Sequence, residues 1–414
     1  MRVAVIGAGI VGVATAIWTQ RAGHEVVLID REGPAAGASA GNGGVLAAAS
    51  VVPVTVPGLL AKAPRMALDP RQPLFVRWSY LPRLAPWLVR YLRHASAPQT
   101  ERIARAIHGV TAGTVEEHQA LARGTPAERH VVPSDYLFLY RDRALYERDA
   151  FGWRLRAEAG FVWDVMDAAA LAGFDPVWTG IGCAIRLGGH GRIDDPEAYV
   201  KALAVHLEAQ GGRMIRAEAE DLVREGGRVT GVRLRHGTGA ETLICDAAVI
   251  ACGAWSGGLT RRLGLRIPLE TERGYHLELW DPSVMPRAPV MVAAGKFVAT
   301  PMSGRLRLAG IVEFGGLTAP PSDAPFRLLE REIRKLIPGL TWARQTRWMG
   351  HRPAPADSIP LIGPVPGVAG AYLGFGHHHI GLTAGPRTGR LLAGLIDGQR
   401  ANIDLAPYAP SRFQ

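Results

Sequence analysis

The sequence predicts a protein of mixed α/β and α+β class, in which a Rossmann-like parallel-sheet domain is interleaved with an antiparallel-sheet domain. Three observations lead there. The chain opens on a β-branched apolar run, a glycine turn and an apolar helix within residues 2–22. It returns to that pattern twice, in the run "AAVIACGAW" that ends in small residues, and in a strand, loop and helix across residues 372–396. Between those returns, Ile267–Leu279 and Lys296–Glu313 alternate apolar and polar residues with the period of antiparallel strands, turning at Asp281-Pro282 and Ser303-Gly304. A chain of 414 residues exceeds what one hydrophobic core usually serves. Two domains follow, with 1–95, 190–262 and 345–414 assigned to the parallel-sheet domain and 96–189 and 263–344 to the antiparallel one.

The opening element carries the first chemistry. Arg2–Ile6 reads as a buried strand, Gly7-Ala8-Gly9-Ile10-Val11-Gly12 as a turn and Val13–Ala22 as a helix. Gly7 permits the tight turn, Gly9 lets backbone approach a pyrophosphate, and Gly12 lets the helix pack on the strand. The amides around Ile10 and Val11 and the positive helix end then face phosphate. Gly23 closes the helix and Glu25–Ile29 forms the next strand. Asp30 stands where a carboxylate accepts hydrogen bonds from a ribose 2′-hydroxyl, with Arg31 beside it, and this acid disfavours a 2′-phosphate. The whole unit is a dinucleotide site. The next stretch, "GPAAGASAGNGGVL", is small where a plain NAD-binding unit would start its next helix, so a flat group can lie against its backbone.

The later elements follow in order. Pro73–His94 interleaves Trp78, Tyr80, Trp87 and Tyr91 with arginines, in short helical pieces cut by Pro82 and Pro86. Core aromatics with arginines reaching to solvent are favoured there over a membrane-touching patch. Asp195 and Pro196 start a helix whose stripe is Val200, Leu203, Ala204 and Leu207, and Gly211-Gly212 ends it. The strand Ala247–Ala251 runs into Cys252-Gly253-Ala254-Trp255, and the carboxyl end of such a strand is where a doubly wound sheet meets its ligand. In the tail, Tyr372–Phe375 reads as a strand, Gly376–Gly385 as a loop and Pro386–Ile396 as a helix followed by Gly398. His377, His378 and His379 belong to that loop; adjacent side chains diverge and no second ligand cluster accompanies them, so no metal is expected.

Composition excludes several classes. Forty-seven Lys+Arg against 37 Asp+Glu give a net charge of +10, but the arginines are scattered and no nucleic-acid motif appears. Cys183, Cys245 and Cys252 lack paired or metal-ligand spacing, which fits a reducing cytoplasm. Met1–Gly12 carries strand and turn signals rather than those of a secretory leader, and no apolar run is long enough to span a bilayer. Peripheral contact with the inner face of a membrane is the alternative location.

Taken together these segments resemble the FAD-dependent amino-acid and amine oxidoreductases of the D-amino-acid oxidase class, most nearly the bacterial D-amino-acid dehydrogenases. The carriers are Gly7-x-Gly9-x-x-Gly12, the Ser39–Gly44 loop, "VIACGAWS", "ERGYH", "GHRPAPADSIPLIG" and "GFGHHHIGLTAGPRTGR", spread over nearly the whole chain. The resemblance implies FAD, held noncovalently because the tail has no cysteine. It implies Asn42, Gly43 and Gly44 near the isoalloxazine, a backbone contact to adenine near Ala219, and Gly253, Trp255 and Gly376 at the strand ends. The amides of Gly381, Leu382 and Thr383 would lie near flavin O2, where a positive helix end stabilises negative charge on the reduced ring. Arg352 matches the arginine that clamps the substrate carboxylate, a task for a planar bidentate fork. Tyr275 is the candidate second carboxylate donor, His276 and His351 are candidate pocket residues, and His377 matches the histidine after the glycine. His378 and His379 depart from the small residues common there.

The implied reaction is oxidation of the Cα–N bond of a D-amino acid, or of a D-imino acid such as hydroxy-D-proline, with hydride passing from Cα to flavin N5 and electrons going on to a quinone or to O2. A secondary-amine, N-methyl amino-acid or glycine oxidase is the alternative within the same fold. From other classes, an NAD-dependent dehydrogenase conflicts with the flavin loop and tail, and a noncatalytic FAD subunit of a complex is separated by turnover of the isolated chain with a dye. Homo-oligomer and complex subunit both fit the sequence.

Overall fold

Two sheets organise the chain, whose computed structural model describes residues 1–59, 69, 72–237 and 239–413. The first orders its six strands as Leu361–Pro364, Ala371–Phe375, Ala247–Ile250, Arg2–Ile6, Glu25–Asp30 and Arg213–Arg216. All pair in parallel except Leu361–Pro364 with Ala371–Phe375. Side chains alternate across it: Val3 and Val5 pack under the helices Ile10–Arg21, Pro196–Ala209 and Gly381–Ile396, while Ala4 and Ile6 join a second core. That second core is covered by a three-stranded antiparallel sheet, Glu218–Glu225, Arg228–His236 and Gly239–Ile244. With both faces covered, a strand must read as an unbroken apolar run, which is why Arg2–Ile6 does.

The large sheet runs in the order Arg344–Pro355, Leu269–Trp280, Arg305–Phe314, Phe297–Met302, Val290–Val292, Val131–Tyr140, Cys183–Ile193 and Val45–Leu46, with Leu74–Val76 and Asp164–Asp167 attached at its sides. The helix Ala324–Leu336 covers one face through Phe326, Leu329 and Ile333, which meet Tyr275, Leu277 and Leu279.

The expected domain boundaries shift. The helices Ala97–Thr111 and Thr114–Ala122, assigned above to the antiparallel domain, bury Ile103, Ile107, Val110 and Leu121 in the parallel-sheet core. Conversely Leu74–Val76 and Arg344–Pro355, assigned to the parallel-sheet domain, are strands of the large sheet. The helix Leu81–Leu92 goes with them, packing Leu84, Trp87 and Tyr91 against Phe314 and Ala354. Trp87 and Tyr91 stack at 4.5 Å in the core while Arg83, Arg90 and Arg93 reach solvent, but of the other two aromatics expected inside, Tyr80 is half-buried and Trp78 is exposed.

Two prolines also sit differently from expectation. Pro86 lies inside one continuous helix, on its exposed side, where water can take the carbonyl it leaves unbonded. The tail helix begins at Gly381, five residues before the proline expected to start it. Pro386 cannot donate to the Leu382 carbonyl, but His118 Nε2 lies 2.9 Å from that oxygen and replaces the missing N–H. Among the described residues no helix is long and apolar enough to cross a membrane.

Candidate active site

A cavity of about 1180 Å³ lies between the two sheets. Its first wall is the carboxyl edge of the parallel sheet, where Ile6, Asp30, Ala251 and Phe375 end their strands and Gly7, Gly9, Ile10 and Val11 turn into the first helix. Nothing larger than glycine fits at the first and last glycines of the turn. Gly7 has φ +109° and a Cβ there would lie 2.4 Å from the Ala251 carbonyl; on Gly12 it would lie 1.8 Å from the Gly7 carbonyl. Gly12 therefore serves helix-on-strand contact and does not itself line the cavity. Ser39 Oγ accepts from Ile10 N at 2.9 Å. The Asp30 carboxylate accepts from Ala8 N at 2.8 Å through Oδ2, and from Glu32 N and Gly33 N through Oδ1. Ala219 lines the same end. Arg31 lies over the Trp255 ring at 4.5 Å, and Trp255 meets His351 edge-on.

The Ser39–Gly44 loop crosses from this wall to the other, held by a row of carbonyls. Arg307 Nη1 donates to Ala40 O at 2.9 Å and Asn42 O at 2.6 Å, His276 Nδ1 lies 3.1 Å from Gly41 O, and Thr300 Oγ1 donates to Gly43 O at 2.6 Å. Ile193 N donates to Gly44 O. With these oxygens turned to the large sheet, Gly41, Asn42 and Gly43 present backbone to the cavity. The anchor is itself anchored: Glu278 accepts from Arg305 Nε at 2.6 Å, Arg307 Nη2 at 2.7 Å and Thr346 Oγ1 at 2.8 Å. Burial alone would raise the Glu278 pKa, but the two guanidinium groups outweigh it and bring it down to about 2.

On the opposite side stands Arg352, whose Nη1 and Nη2 donate to the carbonyls of Ile311 at 2.9 Å and Gly310 at 3.0 Å. Gly274 leaves it room, since a Cβ there would lie 2.5 Å from Arg352 Cζ. Among the described residues no carboxylate lies within ion-pair distance of this guanidinium. The nearest acid by charge is Glu272, which is 2% exposed and lies 3.0 Å from His378 Nε2 instead. An arginine in a cavity wall with no carboxylate in ion-pair distance has the charge and geometry to receive an anion.

The remaining expected residues divide. Gly253, Trp255, Gly376, Gly381, Leu382 and Thr383 line the cavity, the last three in the first turn of the tail helix, which has no side-chain cap. His351 lines it too, with Nδ1 2.9 Å from Thr271 Oγ1 and a pKa brought down to about 4 by burial, then by Arg273 and Arg31. His377 is at the wall, but its Nε2 is 2.9 Å from Thr388 Oγ1, tying loop to helix. Two expectations are corrected. Tyr275 borders the cavity, but its hydroxyl is spent on Glu313 Oε2 at 2.5 Å and accepts from Ser322 N, because strand alternation turns its ring from the Gly274 side toward the Ala324–Leu336 helix. His276 does not line the cavity; it stacks on Trp348 at 5.1 Å beneath Gly41 and holds the loop. Within the histidine loop the His378 backbone is left-handed, with φ +51°.

Residues without an assigned role also matter. Tyr136, Phe138 and Tyr140 form an aromatic cavity wall, with Arg156 held between the Phe138 and Trp153 rings at 4.7 and 4.6 Å. The alternation in "DYLFLY" signals such a wall. Glu272 stands inside the quoted "ERGYH", but nothing local reveals that it pairs with His378.

Strand ends converging on a glycine turn, a capless helix start and a loop offering backbone to a flat ligand define the class: a dinucleotide-dependent oxidoreductase with room for more than a nicotinamide unit. The model of the family "FAD dependent oxidoreductase" matches residues 2–395, and the chain belongs to that family. It is an FAD-dependent enzyme. The chain is 37% identical to a D-amino-acid oxidase of Bradyrhizobium diazoefficiens, covering 99% of this chain and 98% of that protein. It is 33% identical to a D-amino acid dehydrogenase of Methylobacterium nodulans, over 100% and 99% of the two chains. Among solved structures it resembles a glycine oxidase from Geobacillus kaustophilus, with TM-score 0.75, 22% identity and 99% of each chain covered. An L-proline dehydrogenase from P. horikoshii follows at TM-score 0.74 and 19% identity, with 100% and 97% covered. These two likenesses concern the fold.

Proposed function

We propose that the protein catalyses FAD-dependent oxidative deamination of a D-amino acid or D-imino acid. The observation that carries this reading is Arg352: a guanidinium facing the cavity, oriented by two backbone carbonyls and lacking a carboxylate of its own. A substrate α-carboxylate is a planar, bidentate match for it. The similarity to proteins named D-amino-acid oxidase and D-amino acid dehydrogenase favours D over L substrates.

FAD fits the residues present. The pyrophosphate would lie on Gly7, Gly9, Ile10, Val11 and the helix start, the adenosine ribose against Asp30, adenine near Ala219, and the ring against Asn42 and Gly43; Gly44, expected there too, does not line the cavity, its N–H and carbonyl being spent on Asn42 Oδ1 and Ile193 N. Gly253, Trp255, Gly376 and the Gly381–Thr383 amides would complete its surroundings. When bound, FAD supplies the two-electron acceptor. The chain's own residues do the rest: Arg352 fixes the carboxylate and hence the direction of the Cα–H bond, the Ser39–Gly44 loop holds its place through Arg307, and Tyr136, Phe138 and Tyr140 offer apolar surface. His351 and His377, both held well below the usual histidine range by burial, stay neutral and add no charge near the substrate.

The test is anaerobic bleaching of the purified yellow protein against D- and L-amino acids, prolines, glycine and N-methyl amines. D-amino acids or D-prolines should bleach it and carboxylate-free amines should not. Preferential bleaching by glycine or sarcosine would instead favour the glycine-oxidase or secondary-amine alternative. Reoxidation by air or only by a quinone analogue then separates oxidase from dehydrogenase.

A further inference from the structure

Glu272, His378 and His379 form a connected row beside Arg352 that carboxylate binding does not use. Glu272 and His378 are buried, whereas His379 is exposed and lines the cavity. His378 Nε2 lies 3.0 Å from Glu272 Oε1, close enough for an ion pair though not aligned as a hydrogen bond. His378 Nδ1 lies 3.0 Å from His379 Nδ1. His378 N donates to Pro353 O, pinning the row to the residue after Arg352.

The protons in this row can be assigned. An ionised carboxylate only accepts, so His378 Nε2 carries a proton. A neutral His378 then has its lone pair on Nδ1, and His379 Nδ1, facing it, must be the donor. A neutral His379 is left with its lone pair on Nε2, for which the described residues offer no partner. We propose that His379 Nε2 accepts a hydrogen bond from the substrate's amino group while Arg352 holds the carboxylate, with Glu272 and His378 as positioning residues that fix the tautomer. This deepens, and rests on, the amino-acid reading above. Two anchored substituents and a fixed Cα–H direction leave the side chain one place to go, so the row contributes to the choice of hand.

The surrounding charges keep the acceptor available. The protein packed around it first, and Arg352 after it, hold the His379 pKa well below the usual histidine range, with Glu272 opposing. Burial alone would raise Glu272, but the His378 Nε2–H facing it and the Arg352 charge outweigh burial and hold its carboxyl below the usual range, so it stays ionised. From the helix Leu81–Leu92, Tyr91 faces Glu272 with its hydroxyl pushed well above the usual value by burial. His377, in the same loop, is brought down to about 3 by burial. Glu272, Tyr91, His377 and His379 therefore each keep one protonation state near neutral pH.

The experiment uses FAD-loaded wild type, His379→Ala, His379→Gln and Glu272→Gln. Two probes are compared: D-alanine, followed by anaerobic flavin reduction, and propionate, its counterpart without nitrogen, followed by its perturbation of the flavin spectrum. If another D-amino acid reduces the wild type better, it and its nitrogen-free carboxylate replace the pair. His379→Ala should raise the half-saturating amino-acid concentration about tenfold, the scale of one hydrogen bond to a charged group, while propionate affinity moves less than about twofold. The preference for D over L should fall. His379→Gln, which keeps an acceptor, should recover part of the loss, and Glu272→Gln should fall between; if the latter does not fold, the His379 pair decides. Equal weakening of both probes, or no change in either, overturns the proposal and leaves the amino-acid reading standing. A wild type that binds propionate but is reduced by no amino acid overturns the reading itself, and the proposal with it.

Discussion

The two walls of the cavity use different chemistry. The parallel-sheet wall is backbone: glycines, the turn amides and two helix starts, with one acid, Asp30, tying the turn to the strand that follows. The large-sheet wall is side chain, and its buried arginines fall into two kinds. Arg305 and Arg307 share Glu278, and Arg273 pairs with Glu313 at 2.8 Å, whereas Arg352 has carbonyls and no carboxylate. Paired arginines are structure. Among the described residues Arg352 lines the cavity with no carboxylate in ion-pair distance, as does Arg156 between its two aromatic rings; we read Arg352, whose fork is held by two carbonyls, as the one offered to a substrate.

The comparison breaks most severely if Glu278 is neutralised. Glu278→Gln leaves Arg305 and Arg307 buried with Asp195 as their remaining acid, and removing one partner of such a cluster costs about 3–5 kcal/mol. Denaturant unfolding should show that loss, and FAD should be retained poorly because Arg307 no longer holds Ala40 and Asn42. A variant as stable as wild type would mean these arginines need no counter-charge, and Arg352 would lose its distinction.

Arg352→Ala should behave in the opposite way. Folding and FAD content should stay near wild type, while flavin reduction by amino acids loses about 2–5 kcal/mol of transition-state stabilisation. Arg352→Lys keeps the charge without the fork and should fall between. Stopped-flow reduction measures both; equal losses with a carboxylate-free amine would make Arg352 structural.

The same contrast explains what could be read from sequence. The backbone wall was legible because its signals are local: Gly7, Gly9, Gly12 and Asp30 lie within one strand–helix–strand unit, and spacing alone assigns them. The side-chain wall was legible only where a residue stands in a quoted motif, as Arg352 does. Tyr275 sits one position from Gly274, and a two-residue period turns neighbours to opposite faces, so motif membership could not say which one meets the ligand. His276 shares the Gly274 side yet lies under Gly41, 235 positions away in sequence. The start of the tail helix was hidden for the same reason: the partner that frees Pro386 from its usual place is His118, far earlier in the chain.

That long-range support gives a pH prediction. His118 is fully buried, with Nδ1 2.8 Å from Tyr199 Oη and Nε2 on the Leu382 carbonyl, and burial brings its pKa down to about 4. The unfolded chain takes up this proton near pH 6.5 and the folded one only near the lowered value. Stability is therefore unaffected above pH 6.5 and falls as pH drops from there toward 4, by about 1.4 kcal/mol per unit and roughly 3 kcal/mol in all. Unfolding followed at pH 7, 6 and 5 should show that slope, and His118→Gln should flatten it.

The smallest expected effect tests the one acid of the backbone wall. Asp30 spends both oxygens on amides, Oδ2 on Ala8 N and Oδ1 on Glu32 N and Gly33 N, so Oδ1 is filled and Oδ2 keeps the lone pair that a ribose hydroxyl can use. Asp30→Asn preserves the shape and the Oδ1 contacts but turns an amide N–H₂ toward the Ala8 N–H, a donor facing a donor. The glycine turn should slacken, costing about 1–2 kcal/mol in FAD affinity, the net worth of one hydrogen bond to a charged acceptor. Fluorescence titration of the apoprotein with FAD measures this, and amino-acid reduction by the fully loaded variant should stay near wild type. A tenfold slower reduction at full loading would mean that the two walls are coupled through the Ser39–Gly44 loop, since Ile10 N and Ser39 Oγ are the hydrogen bond by which a shift at Ala8 could reach it.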